Sequence, residues 1–310
     1  MLAVVFAAVV IGAALGGRLV TRPEPELGPA GALPACALAQ ASEQVRFGPL
    51  MERQLPWWQR EPAELTAARA RHRAPVFLAA FFSEFPASGP AEAHNVALAA
   101  GRLAGTVLRE GEIFSFNRAL GPYTVERGYR SGQSYAGGRI VESEGGGVCR
   151  VSSVLYNLAV FARLRVVERH PHSMPVPYLP PGRDAAVTVL GGKDLRLSAP
   201  TGPVVLWAAV VGDTLYMAAY GQQRPPAVRW RQQVLERRPF PTVRYVNPEL
   251  RPGEERVVVA GAEGVVVRNW LEVRQPDGQT QRIELGTDRY APLPRVIEVG
   301  PSAPQRARPR

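Results

Sequence analysis

Apolar side chains at Val151, Val154, Leu155, Leu158, Ala159 and Ala162 fall at helical spacing, and that stripe predicts an α-helix over 149–163. A second helix is expected over 90–105, "PAEAHNVALAAGRLAG", which opens on Pro and an acid and closes at Gly105. A third, over 57–72, carries arginines on its outer face. Between these, "PVFLAAFFS" (75–83) is a continuous apolar run of strand length, the pattern of a strand covered on both faces. "RLRVVERH" (163–170) reads as a strand leading into the proline-rich loop "PHSMPVPYLPPGRDAAV". Helical periodicity ends there. "AAVTVL", "DLRLSA", "PVVLWAAVV" and "TLYMAAYG" read as strands, and beyond "QQRPPAVRW" the chain is all strand and turn. Gly253, Gly261, Gly264, Gly278 and Gly300 punctuate this last part, and "PDG" at 276–278 is a hairpin signal.

The fold class expected is α+β: a mixed helix/strand domain at 56–222, then a small all-β domain at 226–300. Residues 21–55 read as a Pro/Gly/Ala-rich linker and 301–310 as a disordered basic tail. The first residues, "MLAVVFAAVVIGAALGG", are apolar and meet Arg18, so 1–20 is read as a signal or an N-terminal membrane anchor, short for a span. Either reading exports the rest, to the cell envelope or beyond. The net charge of +10 is nearly all arginine, Lys193 being the only lysine. Such a surface suits an anionic partner. No zinc-finger or RNA-recognition motif favours nucleic acid, which is not expected as a partner.

The chemistry concentrates in "EGGGVCRVSSVLYN" (144–157). The chain has only two cysteines, Cys36 in the linker and Cys149 behind Gly145, Gly146 and Gly147. We read both as free thiols. A thiol at a helix N-terminus is acidified, and a glycine loop lets backbone N–H groups approach an oxyanion. A base is still needed. Of the four histidines, His72 and His94 lie on helices, whereas His170 and His172 end the strand after the Cys149 helix. A helix followed by an antiparallel strand returns the chain to the helix N-terminus, near Cys149. Pro171 fixes the backbone between the pair, so one ring is expected in and one out. Plainer readings are a core cysteine, a zinc site of Cys149, His170 and His172, and Ser152 and Ser153 as helix caps. We expect no metal and no cofactor.

The stretch from about residue 77 to 221 resembles the VanW family, through "FSFN" followed by "GP", "GGGVC", "SSVLYN", "ERHPHS" and "GRDA" in the family's order. The C-terminal part resembles the G-five (five-glycine) domain. The resemblance implies a cell-wall protein and an L,D-transpeptidase of peptidoglycan, with Cys149 as nucleophile and His172 as base. The partners implied are stem peptides and glycan. Arg150 stands where the family has glutamine, and its side chain either meets substrate or faces solvent. Asp184 or Asn117 is expected to orient His172, while Tyr129 and Tyr156 are candidates for a pocket wall or for the core. Two other readings stand beside the transpeptidase: a cysteine carboxypeptidase or hydrolase of stem peptides, and a non-catalytic wall-binding protein.

Overall fold

A computed structural model describes residues 45–301 except 87, 137–138 and 276. The expected anchor, the first part of the linker with Cys36, and the tail from residue 302 lie outside the described residues. Among the described residues no helix is long and apolar enough to cross a membrane.

The first part runs β1 (Phe47–Leu50), α1 (Ala63–Arg71), β2 (Val76–Glu84), α2 (Pro90–Leu103), β3 (Val107–Leu108), β4 (Phe114–Ser115) and α3 (Phe116–Leu120). It continues through β5 (Ser131–Ala136), β6 (Arg139–Glu144), α4 (Val148–Phe161), β7 (Arg165–Glu168), β8 (Arg196–Ser198), β9 (Val204–Val211) and β10 (Thr214–Gly221). Its main sheet has the order β1-β2-β10-β9-β3, antiparallel throughout. Strand side chains alternate, so Ala79 and Phe81 pack with α2 and α4, while Ala80 packs with Leu65 of α1 on the other face. That two-sided cover explains the unbroken apolar run of β2. Smaller sheets, β4-β8-β7 and the β5-β6 hairpin, flank the helices.

The second part is all-β: β11 (Val228–Arg238), β12 (Thr242–Val246), β13 (Glu255–Val259), β14 (Gly264–Arg274), β15 (Thr280–Tyr290) and β16 (Arg295–Val299). One sheet is β11-β14-β15, and the β14–β15 hairpin turns at the expected glycine, Gly278 (φ 82°). The other is β12-β16-β13, in which β12 and β16 are parallel. The whole is α+β.

Two expectations change, and one element is additional. The helix expected from 57 begins only at Ala63, because Pro62 marks its start. Trp57 is drawn into the core instead, where its indole N–H donates to Tyr220 Oη at 3.0 Å. "AAVTVL" forms no strand: Ala185 and Val187 bond side chains of α4, described below, while the Ala186 and Thr188 N–H groups donate to His170 O and Lys193 O. The β5–β6 hairpin, not expected, reads in retrospect from the strand-like run on either side of Gly137 and Gly138.

Candidate active site

Cys149 occupies the second position of α4, just after Gly147 (φ 95°), and is half-buried. Its thiol and the His172 imidazole share a hydrogen bond. His172 Nδ1–H donates to Asp184 Oδ2 at 2.6 Å, which leaves Nε2 for the thiol. The His172 backbone N–H donates to the same oxygen at 2.7 Å. Cysteine, imidazole and carboxylate therefore stand in line. Val187 N–H lies 3.5 Å from Cys149 Sγ and would donate to a thiolate.

The electrostatics follow from that line. Burial pushes the Cys149 thiol up, but the His172 hydrogen bond and charge and the Val187 N–H outweigh it, and the net direction is down. Burial pushes His172 down, while Asp184 and Cys149 raise it to about 9. Burial also opposes ionisation of Asp184, yet hydrogen bonds from His172 and the charges of His172 and Arg169 hold it below the ordinary carboxylate range. Each shift favours the charged member of the line: thiolate, imidazolium and carboxylate gain over their neutral forms. Tyr123 and Tyr178 face the thiol, and both are held protonated, first by burial and then by the Cys149 charge.

Why these residues meet is local. Ser153 Oγ accepts from Ala185 N–H at 2.9 Å and donates to Cys149 O at 2.6 Å. Ser152 Oγ donates to Ala185 O at 2.6 Å, and Asn157 Nδ2 donates to Arg183 O at 2.7 Å. One face of α4 thus clamps residues 183–187 and sets Asp184 opposite His172. The same bonds occupy Arg183 O and both backbone groups of Ala185, which a strand ladder would need.

Residues 91–220 match the family described as VanW like protein, and residues 231–302 match the G5 domain. The chain carries a VanW-like domain followed by a G5 domain. It is 36% identical over 144 residues to the uncharacterized protein YoaR of Bacillus subtilis (strain 168), covering 46% of this chain and 47% of that protein. It is 32% identical over 78 residues to the vancomycin B-type resistance protein VanW of Enterococcus faecalis (strain ATCC 700802 / V583), covering 25% and 28%. The match thus spans about half of YoaR and less of VanW. A solved G5 domain of IgA1 protease aligns over 27% of this chain and 100% of its own, at 25% identity and a TM-score of 0.17. A score that low carries no argument, and the fold rests on the strand pairing above.

Within the VanW-like domain the expected residues divide. Cys149, His172 and Asp184 converge. Asn117 does not orient His172; it donates to Lys193 O at 2.8 Å and accepts from Tyr123 Oη at 2.7 Å, which fixes the tyrosine beside the thiol. His170 turns away to Glu168 Oε1 at 3.0 Å, so it, His172 and Cys149 do not form a metal-ligand cluster. Ser152 and Ser153 are not caps but the clamp on 183–187. Arg150 does not face open solvent: it donates to Glu84 O at 3.0 Å and lies 4.3 Å over the Tyr178 ring.

The glycine run also differs from expectation. Gly145 N–H, Gly146 N–H and Val148 N–H already bond Arg130 O, Ser143 O and Gly145 O, so they are not oxyanion donors. That leaves Gly147 and Cys149 N–H at the first turn of α4, where N–H groups have no intrahelical acceptor. Gly146 is glycine for closeness: a Cβ there would lie 2.4 Å from the Gly132 carbonyl carbon. Tyr129 is core, its hydroxyl on Leu120 O. Tyr156 is buried at the contact with the G5 domain, its ring edge-to-face with Trp230 at 5.7 Å. A cavity of about 550 Å³ lined by Glu61, Arg69, Arg73 and Gln222 lies at α1, across the sheet from this chemistry.

Sequence reasoning missed Tyr123, Tyr178, Arg169, Asp288 and Tyr290. Arg169 stood in the quoted "ERHPHS", but nothing marked it out from its neighbours. Asp288 and Tyr290 belong to the G5 domain and carried no signal.

Proposed function

We propose that this is a cell-wall-associated enzyme that transfers acyl groups of peptidoglycan stem peptides through a Cys149 thioester, in the manner of an L,D-transpeptidase. The observation that carries the reading is the half-buried thiol hydrogen-bonded to an imidazole that a buried carboxylate orients. The pairing of a VanW-like with a G5 domain supports the cell-wall setting.

The Cys149 thiolate attacks the carbonyl carbon of the L-to-D peptide bond. The oxyanion forms at the open turn of α4, within the field of its N-terminus and the Gly147 and Cys149 N–H groups. As the C–N bond breaks, the His172 imidazolium gives its proton to the departing amine of the terminal D-residue. A thioester remains. An amine of a neighbouring stem attacks it, His172 takes the amine proton, and the C–S bond breaks to release the Cys149 thiolate beside a new amide, a 3–3 cross-link. Water in place of the amine gives carboxypeptidase chemistry. A purely wall-binding role needs no acidified cysteine and leaves the Cys149–His172–Asp184 line without a use.

The test is to incubate the purified chain with disaccharide-tetrapeptide muropeptides beside Cys149→Ala and to analyse the products by mass spectrometry. A 3–3 dimer formed only by the wild type is expected. Tripeptide alone would move the reading to hydrolysis, and unchanged muropeptides with folded protein would move it to wall binding.

A further inference from the structure

We propose that the G5 domain is a working part of this active site, and that Asp288 and Tyr290 at the end of β15 are positioning residues for the Asp184–His172 pair. A carboxylate offers about four acceptor sites. On the fully buried Asp184 all four are filled. His172 supplies two donors, its backbone N–H and Nδ1–H, both to Oδ2. The other two serve Oδ1: Arg169 Nη2 at 3.1 Å and the Tyr290 hydroxyl at 2.5 Å. Arg169 is in turn gripped by both oxygens of Asp288, at 2.6 and 2.7 Å. Both donors on Oδ1 therefore depend on one three-residue stretch of the second domain.

Tyr290 and the next residue, Ala291, tie down the backbone on either side of the pair. Gly182 N–H, two residues before Asp184, donates to Tyr290 Oη at 2.6 Å. Ala291 N–H donates at 2.8 Å to the carbonyl of Ser173, the residue after His172. Gly182 itself, in the "GRDA" motif, has φ +89°, and a Cβ there would meet Asn269 Nδ2 of β14 at 2.1 Å. That glycine is shaped by the G5 domain, not by the VanW-like core. Domains joined by a linker move relative to one another unless the interface forbids it. Here the interface includes the outer layer of the site, and the two domains fall in one compact unit.

Loss of a donor on Oδ1 leaves both bonds from His172 to Oδ2 in place but changes the charge balance on the carboxylate, and with it the hold on the His172 proton and the state of the thiol beside it. The charged and titratable groups facing Asp184 are Arg169, Asp288, Tyr156 and Tyr290; those facing the thiol are Tyr123 and Tyr178, with Arg150 behind.

The test uses the full chain as wild type, Tyr290→Phe and Asp288→Asn. Tyr290→Phe keeps the buried ring and removes only the hydroxyl; should it fail to fold, Asp288→Asn carries the same question. Iodoacetamide alkylation is followed across pH by peptide mapping, which separates Cys149 from Cys36. Each folded variant should shift the Cys149 titration away from wild type, by about one pH unit. Glu263→Gln, which loses only the exposed pair with Arg237, should titrate as wild type. On muropeptides kcat should fall with KM held. An unchanged titration in both folded variants overturns the proposal. The kinetic arm rests on the acyl-transfer reading and the alkylation arm does not, so a wild type inert toward muropeptides would sink that reading while the titration still decides this one.

Discussion

Burial pushes the Cys149 thiol up and the His172 imidazole pulls it down, and the second effect prevails. Removal of the imidazole leaves burial opposed only by the Val187 N–H. Alkylation of Cys149 should therefore titrate below the ordinary thiol value of about 8.5 in the wild type, and above it in His172→Ala. Equal titrations would mean that the two side chains do not communicate. The pair also has a stability signature. His172 rises to about 9 in the fold from an ordinary value of 6.5. Its contribution is complete below the lower value and is lost as pH rises through the higher one. At this scale Cys149 and His172 were legible, because a glycine run before a helix and a histidine pair after a strand are local patterns. The orienting group was narrowed to Asp184 or Asn117 and no further, since only the clamp from α4 decides between them. Tyr290 was illegible: it lies 106 residues from Asp184 and reaches it through another domain.

Helix α4 sets the site by what its polar side chains do to a neighbouring loop. Ser152, Ser153 and Asn157 are buried, and they bond the backbone of 183–187 in place of a partner strand. Ser153→Ala strands the Ala185 N–H and should cost about 1–3 kcal/mol in thermal or urea unfolding. It should also slow Cys149 alkylation at neutral pH, because Asp184 is the residue next to Ala185 and shifts with it. A loss of stability with unchanged alkylation would separate the clamp from the site. This is also why "AAVTVL" misleads as sequence. Its β-branched residues fit a strand, but a strand needs a free ladder, and here α4 has used it. The apolar stripe of α4 and the two-sided run of β2 were readable because their burial follows period alone.

The two domains meet as one structure. Trp230 of β11 packs edge-to-face on Tyr156 of α4, and its indole N–H donates to Asn269 Oδ1 at 3.0 Å. Trp230→Ala should cost about 3–5 kcal/mol, and calorimetry should show it as a shift of one transition shared by both domains. Two separate transitions, with only the smaller displaced, would show that the G5 domain folds apart from the site. The α+β class and the order of the two parts could be read from where helical periodicity stops. Their contact could not, because no residue pattern marks which strand end meets which loop.

The central claim is that Cys149 takes up an acyl group. The most direct measurement is the intact mass of the full chain mixed with a disaccharide-tetrapeptide and no added acceptor amine, quenched in acid at short times. The account predicts an adduct of the donor less its terminal D-residue, mapped to Cys149 and absent from Cys149→Ala. A folded wild type with an acidified thiol and no adduct at any time, across donors of different stem chemistry, would contradict it.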